Sequence, residues 1–461
     1  MIQTEVKSIE DALNEAILLA KNKQTPQLLS TTDTIDAINP IVFFNQAKQI
    51  KGERVFWTSS FEHFYLVGAG EARALTSASH RFEETEKQWK EMLSDAIIFN
   101  PYRVAGTGPI AVGGFSFDPQ KENTGLWKHF EESRFRIPAY LLTIEKGICY
   151  LTINVIVCPE DHPTQLFYTI KKNKQLLLGN HDILPEGPKI EKKKEIKPSE
   201  WKEIVTKATN EIKKGHADKI VLAREMQVTF DRPADISAIL DKLIQTQTNS
   251  FIFAFENKND CFLGATPERL VRVYDQQLFS TCLAGTAPRG ETIEEDQQIG
   301  LELLRDVKNR EEHDYVVQMI REAISACCEQ IEVPKNPVLY PLKNLQHLYT
   351  PVKASLKNEY SIIDVVKQLH PTPALGGLPR EKSLEFIREN EILDRGWYGA
   401  PIGWFDAQKN GEFAVAIRSA LLQGGKASLF AGCGVVKNSE PEAEYQETNI
   451  KFTPMLSVLG G

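Results

Sequence analysis

SEWKEIVTKATNEIKKGHADKIVLA, residues 199–223, changes its structural period within one stretch. Trp201, Ile204, Val205, Ala208 and Ile212 fall at the 3, 1, 3, 4 spacing that gathers apolar side chains on one face of a helix. Ser199 stands where a residue could cap that helix, and Gly215 stands where it would end. The apolar, β-branched KIVLA at 219–223 then predicts a strand. Downstream, the patterns predict a helix near 234–246, strands at 251–255, 261–264 and 269–274, and helices at about 293–306 and 310–331. Strands at 413–421 and 427–433 and a last helix from about 441 follow. Strands and helices interleave without a regular βαβ period, which predicts an α+β fold with large, mainly antiparallel sheets.

Upstream, 54–58, 64–67, 109–117 and 149–157 are short, β-branched or aromatic, and punctuated by Gly and Pro. Amphipathic helices near 8–21 and 81–95 make this half mixed. Between Leu184 and Pro198 runs PEGPKIEKKKEIKP, whose Pro, Gly, Lys and Glu content reads as a solvated connector. The expected division is a strand-rich N-terminal subdomain, 1–190, and a C-terminal catalytic region, 191–461.

The chain has 461 residues, 42% hydrophobic and 25% charged, enough for a sizeable core. It has no uninterrupted apolar run of about 18 residues and no basic-then-apolar leader at its start, which predicts a soluble, cytoplasmic protein without a membrane partner. With 54 Lys+Arg against 62 Asp+Glu, the net charge of −8 offers a polyanion no attraction, and no basic stripe with interleaved aromatics points to nucleic acid. Seven Cys without a CxxC pair read as reduced thiols rather than a zinc site.

Several residues could carry chemistry. Lys219 enters an apolar strand, either snorkelling to water or desolvated enough to act as a base. Glu268, after Pro267, lies in a turn between two strands, where partial dehydration would raise its pKa and suit an acid, unless it merely pairs with Arg269. LAGTAPRG, 283–290, reads as a loop whose N–H groups could receive a carboxylate. Glu444, Glu447 and Lys451, at i, i+3 and i+7, would share one helix face, either solvated or in a site. Gly432 and Gly434 just upstream permit close approach of a ligand. Glu312, four residues before Val316, is expected on the buried side of its helix and in need of a partner.

Taken together, KIVLAR, FLGATPERL, LAGTAPRG, EEHDYVV, LHPTPALGGLP, DRGWYGAPIGW, FAVAIRSA and AGCGVVKNSEPEAEYQETNIKF resemble, in order, the C-terminal region of the chorismate-utilising enzymes. GGFSFDP at 113–119 also looks familial. The resemblance implies one large α+β unit of stacked antiparallel sheets with helices outside, and chorismate as substrate. It implies Lys219 as the base that activates water and Glu268 as the acid for the departing C4 hydroxyl. It further implies Mg2+ held directly by Glu312 and Glu447 and through water by Glu444. Tyr398, Arg418 and Lys451 match binders of the enolpyruvyl carboxylate, and the backbone of Gly432 and Gly434 matches that of the ring carboxylate. Gly285 and Thr286 line the same pocket, and His370 opens the block facing the ring. Asn309 stands where several relatives have a second water-bridging Glu.

Differences within the family narrow the activity. A Lys at 219 and Ala374 in place of Thr favour water over ammonia, and Ala284 lacks the lysine of the aminodeoxychorismate synthases. The chain thus looks most similar to the isochorismate synthases, of menaquinone or siderophore type. Salicylate synthase is the alternative, and a non-catalytic chorismate-binding protein a further one. No glutamine amidotransferase partner is implied.

Overall fold

The computed structural model describes residues 2–3, 8–121, 124–179, 186–341 and 345–461. Two large sheets, antiparallel except at the short Ile97–Phe99 strand, stack face to face. An aromatic core fills the space between them, with Trp57, Phe64, Trp127, Phe253, Phe262, Trp397, Trp404 and Phe430 all buried. The outer faces are covered by helices, among them Ile9–Lys23, Ile236–Thr246 and Pro441–Val458 over one sheet and Arg81–Ser94, Val307–Ser325 and Ile362–Leu369 over the other. This is the expected α+β architecture.

Both sheets run across the 190/191 division. In the first, Arg54–Ser59 pairs with Phe251–Asn257; in the second, Ile110–Phe115 pairs with Pro401–Asp406. Leu184 and Pro185, at the start of the expected connector, lie outside the described residues. From Ile190 to Glu195 the segment is not loose but an edge strand, paired with the far end of the Lys219 strand. Its Lys and Glu side chains keep that edge in water, which blunts further pairing.

The helix of the opening stretch spans Pro198–Lys213. Ser199 does not cap it. Lys197, in the left-handed region, precedes Pro198 at the first turn, where proline's fixed φ starts the helix without a side-chain cap. Trp201, Ile204, Val205, Ala208 and Ile212 pack on Ile220, Leu222, Cys433 and Val435, and the Trp201 indole donates to the Ala223 carbonyl at 3.0 Å. The strand that follows runs Lys219–Phe230, longer than KIVLA suggested, because Ile190–Glu195 and Lys426–Val435 pair with it on either side.

Three further boundaries differ from the sequence patterns. The helix expected to 331 ends at Ser325, and Cys328–Glu332 instead pairs with the long strand Leu345–Leu356, tertiary pairing overriding helical periodicity. LAGTAPRG is not a loop: its 283–288 portion belongs to the strand Gln277–Pro288, bulged at Gly285 with φ +76°. The run 413–421 is two strands in different sheets, Gly411–Val415 and Ser419–Gln423, and the chain changes sheet at Ala416–Arg418.

A second change of sheet lies beside it. Asp260–Thr266 is in the first sheet and Arg269–Tyr274 in the second, so Pro267 and Glu268 form the crossing. The two crossings bond to each other: Val415 N–H donates to Glu268 O at 3.0 Å, and Ala265 N–H to Arg418 O at 3.1 Å.

A buried ion pair bolts the 391–395 segment to the Lys219 strand. The Arg395 guanidinium holds both Glu391 oxygens, at 2.6 and 2.7 Å, and donates to the carbonyls of Leu375 and Val221. Glu391 accepts in addition the Ala223 N–H at 2.7 Å. Arg395→Met would leave Glu391 buried without its counter-charge, at an expected cost of about 3–5 kcal/mol. Urea denaturation reads this directly, and a midpoint equal to the parent's would show that the pair is not what holds the strand.

Candidate active site

Glu268 occupies one crossing, half-buried between the two sheets. Burial pushes its carboxyl up to about 7, against the pull of the Lys219 and Lys451 ammonium groups. Arg418 occupies the other crossing with φ +50°, a strained backbone for a side chain with a Cβ. It is held there by the paired crossings. Burial lowers its guanidinium pKa, while the Glu447 carboxylate opposes that shift. The Tyr398 phenol is itself buried, which drives its pKa up and keeps it a neutral hydrogen-bond donor.

Lys219 is the first residue of its strand, and its carbonyl accepts the Ser383 hydroxyl at 2.9 Å. The side chain reaches out to Glu312, Nζ to Oε1 2.9 Å, bridging the strand to the Val307–Ser325 helix. Gly434, on the neighbouring strand where it pairs with Val221, makes this path possible, since a Cβ there would lie 2.7 Å from Lys219 Cε. Gly432 plays the same part for Tyr398, whose hydroxyl would lie 3.2 Å from an added Cβ. Lys451 donates to the Gly432 carbonyl at 2.8 Å and pairs with Glu447 at 2.6 Å.

Glu312 does not turn inward as its spacing suggested. Its side chain is 43% exposed, and the buried stripe of that helix is His313, Val317, Ile320 and Ile324. Glu312 lies one residue, about 100°, round from that stripe and faces Lys219. His313 takes the inward position, its ring bonded to Thr350 Oγ1 at 2.7 Å and the Ala284 carbonyl at 3.1 Å.

Thr286 meets a residue that the sequence patterns did not single out. Its hydroxyl lies 2.9 Å from His347 Nδ1, on the strand Leu345–Leu356. Burial lowers the His347 pKa, and Arg418 and Lys451 lie close enough to lower it further. The alternation in LQHLYTPVKASL, with His347 exposed to one face, is the signal that would have found it. Gly285 stands beside Asn309, whose side chain would lie 3.3 Å from an added Cβ. His370 spends its bonds inside the protein: Nε2 lies 2.9 Å from the Phe117 carbonyl, and its own carbonyl accepts from Arg380. Burial, with Arg81 nearby, pushes its pKa down to about 3, so the ring is neutral.

Around one cleft the fold thus gathers the cations Lys219, Arg418 and Lys451 with the carboxylates Glu268, Glu312 and Glu447. Glu444 lies in the first turn of the same Pro441–Val458 helix. Its Oε1 accepts the Ser439 hydroxyl at 2.6 Å, and its Oε2 is buried without a hydrogen-bond partner. Among the described residues no three His, Cys, Asp or Glu side chains form a ready-made metal cage. The orphaned Glu444 oxygen and the lysine-paired Glu312 and Glu447 nonetheless fit a hard cation of the magnesium kind, which takes few carboxylates and keeps its waters.

Two outcomes are expected from this geometry. Gly434→Ala should displace Lys219 and abolish most activity with little change in thermal stability; full activity would mean that the lysine's path is not what the glycine serves. Glu268 titrates near 7 in the fold against 4.5 ordinarily, so the folded chain holds the extra proton in that window and stability falls as pH rises across it. Glu268→Gln should therefore gain stability over the parent at pH 8 and little at pH 5, read as urea midpoints, and equal effects at both would contradict the raised pKa.

Comparison with known proteins places the chain in a family. A family model described as chorismate binding enzyme matches residues 11–460. The chain is 41% identical to isochorismate synthase MenF of Bacillus subtilis, over 100% of this chain and 99% of that one. It is 34% identical to the salicylate biosynthesis isochorismate synthase of Pseudomonas aeruginosa, over 98% and 95% of the two chains. The fold superposes on the menaquinone-specific isochorismate synthase MenF of Escherichia coli with a TM-score of 0.80 at 24% identity, covering 98% of this chain and 100% of that one.

Proposed function

Because the chain belongs to the chorismate-binding enzyme family, we infer that it is an isochorismate synthase, an isomerase that converts chorismate to isochorismate. The observation that carries the residue-level reading is the placing of Glu268, with its carboxyl near 7, within the field of Lys219. An acid that is protonated near neutrality and a lysine beside it are the pair that such an exchange of hydroxyls needs.

In this reading Lys219 first gives its ammonium proton to solvent, and the free amine then takes a proton from a water as that water's oxygen bonds to C2 of the ring. The ring double bonds shift, the C4–O bond breaks, and Glu268 gives its proton to the departing hydroxyl, which leaves as water. Arg418, Lys451 and the neutral Tyr398 hydroxyl hold the enolpyruvyl carboxylate. The backbone of Gly432 and Gly434 receives the ring carboxylate, Gly285 and Thr286 line the pocket, and His347 orients the Thr286 hydroxyl. His370 shapes the wall from behind by holding the Phe117 segment.

Glu312, Glu447 and, through water, Glu444 are the residues that would hold Mg2+. When bound, the ion supplies the positive charge that lets a dianion approach three carboxylates in a chain of net charge −8. The division of labour belongs to the same reading: every group given a role toward substrate or metal lies within 191–461. So does a cytoplasmic setting without amidotransferase, nucleic-acid or membrane partners; no described helix is long and apolar enough to cross a membrane.

The test is a product assay with chorismate and titrated magnesium, products separated by chromatography. Isochorismate approaching an equilibrium mixture is expected, and only with metal. Salicylate with stoichiometric pyruvate would move the chain to the alternative activity. Glu447→Gln should raise the magnesium concentration for half-maximal rate by about tenfold or more; a parental requirement would remove Glu447 from the metal.

A further inference from the structure

Arg224 lies outside every role given so far, yet it is buried to 2% exposure and surrounded by the helix that bears Glu444, Glu447 and Lys451. Its Nε donates to Thr448 Oγ1 at 2.7 Å, and its Nη2 donates to Asn449 Oδ1. The guanidinium carbon stands 4.1 Å from the Tyr445 ring centroid and 4.9 Å from that of Phe452. Tyr445, Thr448 and Phe452 follow Glu444, Glu447 and Lys451 by one residue each. The guanidinium therefore grips a stripe of the helix about 100° round from the stripe that faces the cleft.

We propose that Arg224 is a positioning residue that fixes the rotation of the Pro441–Val458 helix, and with it the aim of Glu444, Glu447 and Lys451. The proposal rests on the reading of those carboxylates as metal ligands. Packing alone does not call for this side chain, since an apolar residue of similar length in such a site is commonly at least as stabilising as a buried charge. A directional donor is another matter. Apolar contacts tolerate a helix turning on its axis, whereas an Nε held by a wholly buried threonine hydroxyl does not.

The site also needs that helix indexed to one strand pair. Arg224 pairs across the sheet with Ala431, next to Gly432, on the strand that begins at Lys219. One side chain thus refers the carboxylate helix to the same two strands that carry the lysine and the glycines. Around it Glu195 lies 4.0 Å from Nη1 and accepts the Tyr445 hydroxyl, and Trp201 lies 5.9 Å off. These complete the cage around the guanidinium.

The experiment uses the full chain and three variants, Arg224→Met, Arg224→Lys and Thr448→Val, with Glu447→Gln as the reference for the metal reading. Magnesium binding is measured by calorimetry without and with chorismate, alongside KM, kcat and melting temperature. Arg224→Met is expected to weaken magnesium binding about 10- to 100-fold. Arg224→Lys should restore part of it, and Thr448→Val should weaken it in the same direction while melting like the parent. Parental magnesium affinity in Thr448→Val overturns the proposal, even if Arg224→Met fails to fold. If Glu447→Gln also binds magnesium like the parent, the metal reading itself has failed; if Glu447→Gln is weakened and Thr448→Val is not, only the positioning role has.

Discussion

The active cleft depends on one topological constraint: two chain segments change sheet side by side and are hydrogen-bonded to each other while doing so. Val415 donates to the Glu268 carbonyl and Ala265 to that of Arg418, so neither crossing can shift without the other. Crossing segments have given up their ladder partners, and their side chains lie between sheets rather than on a face. That is how a glutamate comes to be desolvated and how an arginine is held at φ +50°. The strain at Arg418 and the raised pKa at Glu268 have the same origin, and both are borne by the packing of the two sheets.

Charge follows from that geometry. Three cations and three carboxylates share the cleft, and two of the carboxylates are tied to lysines at 2.9 and 2.6 Å. Glu268 is the one that no lysine bonds, and it is the one whose pKa rises. Desolvation without a direct partner favours the protonated carboxyl. A direct ion pair with either lysine would favour the ionised carboxylate, so it is the absence of such a bond among the described residues that leaves burial to set the Glu268 pKa.

The fold was legible in the sequence wherever a single element decides its own period. The helix ending at Lys213 and the start of the strand after it lie where the apolar pattern put them, and a last helix runs from Pro441 as expected. What was illegible depends on partners distant in sequence. Nothing within 413–421 says that the chain changes sheet at Arg418, and nothing within 310–331 says that Cys328 will pair with Leu356. At the site, motif blocks led to nearly every residue, because each block is contiguous. His347 was missed because its strand, Leu345–Leu356, carries no such block, and Glu312 was turned the wrong way because a one-residue offset on a helix decides between core and cleft.

The N-terminal half contributes no group to the proposed chemistry, yet the cleft leans on it. Trp127 donates its indole N–H to the Asp394 carbonyl, Lys121 caps the carbonyls of Arg388 and Glu391, and Trp397 donates to Glu131 O. All of these bonds act on the segment between Arg388 and Trp397, which carries the Glu391–Arg395 pair and ends beside Tyr398. From that half Phe117 lies under the Arg395 guanidinium, 4.3 Å from ring centroid to Cζ, and a buried pair is favourable only while its lone pairs and protons are satisfied. Lys121, Trp127 and Glu131 therefore serve the cleft as Gly434 does, by fixing where neighbouring groups are held.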